Sequence, residues 1–189
     1  MNTKNFLNLK GHFLIAMPGL LHPDFRQSVI CIIEHTEKGS MGIIVNKVHP
    51  SLSAQAIFKQ LKLNYVAGVA SVPIYLGGPA HIEQIFVVHN EPMEWKKSLP
   101  VTPWLGMSNT SDILEDIAIG REPDSFIVSL GCVVWKAGQI EVEIKENIWL
   151  TCPVSKDVIF DMPVRAKWKG AVKKLGISPE FLSQAVGHA

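Results

Sequence analysis

The chain reads as an α+β domain, a compact mixed sheet flanked by helices. Two observations predict this. Segments rich in β-branched residues alternate with segments whose apolar residues recur at helical spacing. Two of the predicted strands are also joined by a turn too short for a crossover, which rules out a purely parallel sheet.

Taken in order, Gly11–Met17 is a strand stopped by Pro18, whose ring fixes φ and removes a ladder donor. Ser28–Glu34 is an almost unbroken apolar run, so both its faces should be buried, as in a central strand. Thr36-Glu37-Lys38-Gly39-Ser40 supplies turn chemistry, and Met41–Asn46 returns as the antiparallel partner. Between Leu52 and Leu63 the spacing of Leu52, Ala56, Ile57 and Leu61 predicts a helix, with Ser51 or Ser53 as its N-cap. Val72–Leu76 is a short strand ending at Gly77-Gly78-Pro79, and Ile85–His89 is another. Thr110 or Ser111 opens a helix carrying Ile113, Leu114, Ile117 and Ala118 on one face, with Gly120 as its stop.

Phe126–Leu130 is a strand that continues toward Trp135. Gln139–Glu146 fits two periods. Ile140, Val142 and Ile144 alternate as a strand would, while Ile140, Ile144 and Ile148 recur at i, i+4. Helix is the better reading, because Gly138 can begin the turn and Glu141 and Glu143 suit its positive end. Trp149–Pro153 follows as a strand. Arg165–Leu175 is an amphipathic helix with Trp168, Ala171, Val172 and Leu175 inward, and Ser178-Pro179-Glu180 opens a last short one.

With 189 residues and no linker, repeat or low-complexity tract, residues 1–189 are expected to form one domain. The apolar fraction of 47% against 19% charged residues is that of a packed protein. Lys+Arg 18 against Asp+Glu 17 lacks the basic excess of a phosphate-backbone binder. Cys31, Cys132 and Cys152 form no C-x-x-C pair, and two lie in apolar runs, where a thiol acts as a small hydrophobe. Unpaired thiols fit a reducing compartment. Lys4 and Lys10 precede an apolar run at Phe13–Leu21 that loosely mimics a secretion signal. Pro18-Gly19 interrupts that run, and His22-Pro23-Asp24 stands where a small-residue cleavage site belongs. No apolar stretch approaches the roughly 20 residues of a membrane span. The expected location is cytoplasmic.

Gly11-His12-Phe13-Leu14-Ile15-Ala16-Met17-Pro18 resembles the opening of the bacterial YqgE/AlgH family. The similarity continues through His35, Gly39, Gly42 and Asn46, then Gly77-Gly78-Pro79, then Ser111-Asp112-Ile113-Leu114. It is strongest over Gly131, Trp135, Gly138-Gln139-Ile140-Glu141, Glu143-Ile144, Asn147 and Trp149-Leu150. It extends to Trp168, Leu175-Gly176 and Gly187-His188-Ala189. Val134 departs from it, standing where many relatives carry Gly, and Val142 stands where many carry a polar residue. The resemblance implies a small barrel-like core flanked by helices. Some members of that family are named for an effect on exopolysaccharide gene expression, which describes a phenotype and supplies no residue-level mechanism.

The chain carries no G-x-S-x-G elbow, H-E-x-x-H helix, P-loop or G-x-G-x-x-G turn, and its seven histidines are scattered. No metal and no cofactor is therefore expected. The candidate site residues are Gln139, Glu143, Asp112, His35, Asn46, Gly77 and Gly78. Gln139 and Glu143 attract most interest, the first as a donor to an anion and the second as a base. The alternative is that they satisfy buried groups while Asn147 caps the helix end. Asp112 suits a helix N-terminus, His35 and Asn46 sit at opposite ends of the hairpin strands, and Gly77-Gly78 fit a turn or an exposed-amide nest. Trp135 and Trp149 flank the Gln139 block as pocket lining or core filler. Arg165, Lys167, Lys169, Lys173 and Lys174 spread around one helix and read as a solvated face.

The leading expectation is a non-enzymatic binding or adaptor protein that affects gene expression or envelope physiology through a small molecule or protein partner. A hydrolase or transferase with its site near Gln139, Glu143, Asp112 and His35 is the alternative. Direct DNA binding by the basic helix comes last, on charge alone.

Overall fold

The computed structural model describes residues 8–91 and 94–184; Lys4 and Gly187-His188-Ala189, named above, lie outside them. The strands are β1 (His12–Ala16), β2 (Val29–Thr36), β3 (Gly39–Ile44), β4 (Val48–Ser53), β5 (Pro73–Leu76), β6 (Ala80–Asn90), β7 (Leu99–Thr102), β8 (Leu105–Ser108), β9 (Phe126–Lys136) and β10 (Trp149–Pro153). The helices are α1 (Ala54–Gln60), α2 (Ser111–Ala118), α3 (Gln139–Lys145), α4 (Lys167–Lys174) and α5 (Pro179–Gln184), with a π-helical turn at Asp157–Asp161.

One mixed sheet runs in the order β10-β1-β2-β3-β9-β6-β8-β7, and β4 and β5 branch from it. All pairings along that path are antiparallel; β5 alone lies parallel to β9. The fold is therefore α+β. The sheet is not closed, since no ladder joins β10 to β7 among the described residues, so the barrel-like core implied by the resemblance is not confirmed.

Strand β2 shows why the apolar run had to be central. Val29, Cys31 and Ile33 enter one core, while Ile30 and Ile32 enter the core on the opposite face. Helix α4 and the π-turn cover the first face, and α3 covers the second. A third core packs α1 and α2 against β5, β6 and β9.

Strand β9 is the hub. Along one edge its Val128–Leu130 stretch pairs with β5 and its Val133–Lys136 stretch with β3, while β6 occupies the other edge. Because β5 and β6 flank β9 on opposite edges, the chain between them must cross it. Gly77-Gly78 makes that crossing directly over Gly131, which has φ +71°. A Cβ on Gly77 would strike the Gly131 carbonyl, and one on Gly78 would strike the backbone of Cys132. The pair thus serves a main-chain crossing, and the segment forms no hydrogen-bonded turn of the kind expected.

Two segments differ from expectation. Helix α1 starts at Ala54, because Val48–Ser53 is a strand paired with β5, and Ser53 is an N-cap without a side-chain bond. Strands β7 and β8, containing Pro100 and Gly106, escape a sequence reading because neither carries a β-branched run.

Candidate functional site

Three of the candidate residues converge where α3 lies over the β2–β3–β9 face. His35 on β2, Ser40 on β3 and Trp135 on β9 are successive cross-strand partners, so their side chains share that face. Helix α3 meets them with two carboxylates. Glu143 Oε2 accepts from Trp135 Nε1 at 2.9 Å and from Trp149 Nε1 at 2.8 Å. Its other oxygen accepts from Gln139 Nε2 at 2.8 Å, the i, i+4 spacing of one helix face. Gln139 Oε1 in turn accepts the Lys136 backbone N–H at 3.0 Å, closing the turn into α3. Glu141 Oε1 lies 3.6 Å from His35 Nε2, and His35 Nδ1 is 2.7 Å from Ser40 Oγ.

This arrangement resembles a serine–histidine–carboxylate set in order only. Ser40 and His35 are buried, at 8% and 6% exposure, so the hydroxyl offers a substrate little open surface. Both oxygens of Glu143 are engaged by three N–H donors. Two of those belong to indoles buried to 6% and 4%, which would otherwise have no acceptor there. Asn147, at φ +57°, takes the left-handed position after the helix and donates its N–H to the Ile144 carbonyl. Val134 and Val142 point outward at 50% and 51% exposure, so Val in place of Gly leaves the β-ladder intact.

The remaining candidates lie elsewhere. Asn46 clamps the loop entering β2: its Oδ1 accepts from Val29 N and its Nδ2 donates to Gln27 O, both at 2.8 Å. Asp112 accepts the Lys96 N–H at 2.8 Å and the Thr110 hydroxyl at 2.5 Å. Burial pushes the Asp112 carboxyl up, but those donors and the Ile113 amide outweigh it and hold it below the usual range. With Glu94, Trp95, Asp116 and Arg121, Asp112 borders a hollow of about 410 Å³.

Gly78 borders a second hollow of about 360 Å³, with Pro23, Asp24, Ile44, Lys47 and Leu76. It sits where the ends of β3 and β5 come together, Leu76 N donating to Lys47 O and Ile44 N to Gly77 O. Lys47 Nζ donates to the Pro23 carbonyl at 3.0 Å and to the Asp24 carbonyl at 2.8 Å, leaving one of its three N–H groups unspent. Burial pulls the Lys47 ammonium below the ordinary lysine value, and the Asp24 charge opposes that pull. Leu76 stays 39% exposed at the rim. Sequence reasoning passed over Lys47 and Leu76, since a lone lysine after a strand carries no signal until the chain returns beside it.

Lys167 corrects the reading of the basic helix. It is 1% exposed, its Nζ donating to Ile159 O at 2.5 Å and Val45 O at 3.0 Å, with Tyr75 Oη at 3.5 Å. Burial pushes its pKa down to about 8. Lys174 pairs with Asp157 at 2.8 Å on the surface, so of the five basic residues one is buried and another is held in an ion pair. The three cysteines are free and buried, Cys31 and Cys132 as their apolar runs predict and Cys152 besides, and burial pushes the Cys31 thiol up to about 12. Among the described residues no cluster of metal-ligating side chains occurs, and no helix is long and apolar enough to cross a membrane.

Comparisons with known proteins agree with the geometry. A UPF0301 protein of Desulforapulum autotrophicum is 42% identical over 189 residues, spanning 100% of both chains. One of Saccharophagus degradans is 40% identical, over 97% of this chain and 90% of its own. The solution structure of the AlgH protein from Pseudomonas aeruginosa superposes with a TM-score of 0.80 at 36% identity, each chain fully covered. A crystal structure from Corynebacterium diphtheriae, 21% identical, shares the fold with a TM-score of 0.72 over 93% of this chain and 90% of that one. The AlgH-like family profile (DUF179) matches residues 13–180, and the chain belongs to that family.

Proposed function

We propose that this protein is a non-enzymatic binding protein whose ligand site is the hollow between Lys47, Leu76 and the 23–24 loop. It would act on gene expression or envelope physiology through what it binds. The observation that carries this reading is the contrast in hydrogen-bond accounting. Glu143 and Gln139, the strongest catalytic candidates, satisfy each other, two indoles and a backbone amide. Lys47 is a partly buried cation with a donor to spare, beside an apolar wall in a hollow of small-molecule size. Direct DNA binding gains no support, since Lys167 is withdrawn from the basic helix and Lys174 is paired.

The test is amide chemical-shift mapping with a panel of small metabolites. Saturable shifts confined to Ile44, Lys47, Leu76 and Gly78 are the expected result. Turnover of any panel compound that disappears in Glu143→Gln, with the fold intact, would replace this reading with the enzymatic one.

A further inference from the structure

One basic and one acidic residue, Lys47 and Asp24, line the hollow. Lys47 spends two N–H groups on main-chain carbonyls, not on the Asp24 carboxylate. That carboxylate is 55% exposed and 3.9 Å from His22 Nδ1. No Lys47–Asp24 ion pair forms among the described residues, so neither charge cancels the other by contact. The same hollow is lined by the apolar Ile44 and Leu76, with Pro79 beside Gly78. A simple anion entering here would face Asp24, and a simple cation would face Lys47. A molecule with both charges at one end and an apolar body at the other meets a complement at every wall. The volume, about 360 Å³, is at the small end of ligand pockets.

We infer that the ligand is a zwitterion with an apolar body, of the α-amino acid class. Its carboxylate takes the remaining N–H of Lys47, its ammonium faces Asp24, and its side chain lies on Leu76 and Ile44. This inference rests on the reading of the hollow as the ligand site. The floor is held from the far side of the sheet. Lys167 bonds the carbonyl of Val45, next to Ile44, and approaches the hydroxyl of Tyr75, next to Leu76, which fixes the spacing of the two strand ends.

The experiment titrates the full chain with L-leucine, L-phenylalanine, 4-methylpentanoate and 3-methylbutylamine, following the amides of Ile44, Lys47, Leu76 and Gly78. The two amino acids should shift them saturably, and the carboxylate-only and amine-only compounds should bind at least tenfold more weakly. Lys47→Met and Asp24→Asn should each weaken amino-acid binding at least tenfold. Lys47→Arg, which keeps the charge and the donors to the 23–24 loop, should retain most of it. Equal binding of all four compounds, or unchanged affinity in both neutral variants, overturns the inference. If the amino acids do not bind while another panel compound shifts the same amides, the zwitterion is wrong and the ligand site stands. If no compound of any class shifts them, both fail.

Discussion

The corner under α3 and the hollow beside Lys47 hold comparable sets of polar groups and treat them in opposite ways. Under α3, Glu143 receives three N–H donors and Gln139 both gives and accepts, so the carboxylate is solvated by neutral donors of the protein itself. Beside Lys47, the ammonium is anchored by two carbonyls and keeps a third donor without a partner among the described residues. A residue type that suggests chemistry therefore means little until its valences are counted. A carboxylate with both oxygens engaged by the protein's own donors is a structural bolt, and a lysine with one hydrogen left over is a contact waiting for a partner.

The sharpest way to break this contrast is Glu143→Ala. Removing an acceptor shared by two buried indoles should cost about 3 kcal/mol, read from urea unfolding, and leave amino-acid binding at the hollow unchanged. A variant that stays as stable as the parent would mean the corner is not structural.

The next effect concerns pH. The folded Lys167 releases its proton near pH 8, whereas an unfolded lysine holds its proton to about 10.4. Between those values the unfolded chain binds more protons at this site, so Lys167 by itself adds about 2 kcal/mol from pH 8 to pH 10, while the buried thiols of Cys31, Cys132 and Cys152, pushed up by burial, work in the opposite direction. Below pH 8 both states are charged and the slope vanishes. Urea unfolding of both proteins across this range isolates the lysine: the stability of the parent relative to Lys167→Met should grow by about 2 kcal/mol from pH 8 to pH 10.

Asn46→Ala removes both bonds to the Gln27–Val29 segment and should cost about 1.5 kcal/mol, with a weakened hollow because the adjoining 23–24 loop loses its anchor. Asp112→Ala is the mildest, about 0.5 kcal/mol, since its donors are near the surface and water replaces it. A binding loss in Asp112→Ala would place function at the other hollow.

Much of this was legible in the sequence, for local reasons. The hairpin needed only its turn residues, and α3 needed the i, i+4 spacing of Ile140, Ile144 and Ile148 with Gly138 and two acidic residues at its start. The left-handed stop at Asn147 followed from its side-chain type. The α3 corner was half legible: Trp135 and Trp149 flanked the block, but their shared acceptor exists only because β9 and β10 bring them to one helix face. Lys167 was misread because helical periodicity assigns lysine to solvent. Nothing local signals that Val45, 122 residues away, supplies an acceptor. Lys47 was missed for the same reason, its surroundings being assembled by the return of β5.

The place where Gly77 and Gly78 ride over Gly131 leaves no gap for even one extra methyl group. Such a crossing writes itself into the range of sequences the fold accepts. In a library sampling all twenty amino acids at each position, these three sites should retain their parent residue almost alone, while outward Val134 and Val142 drift freely.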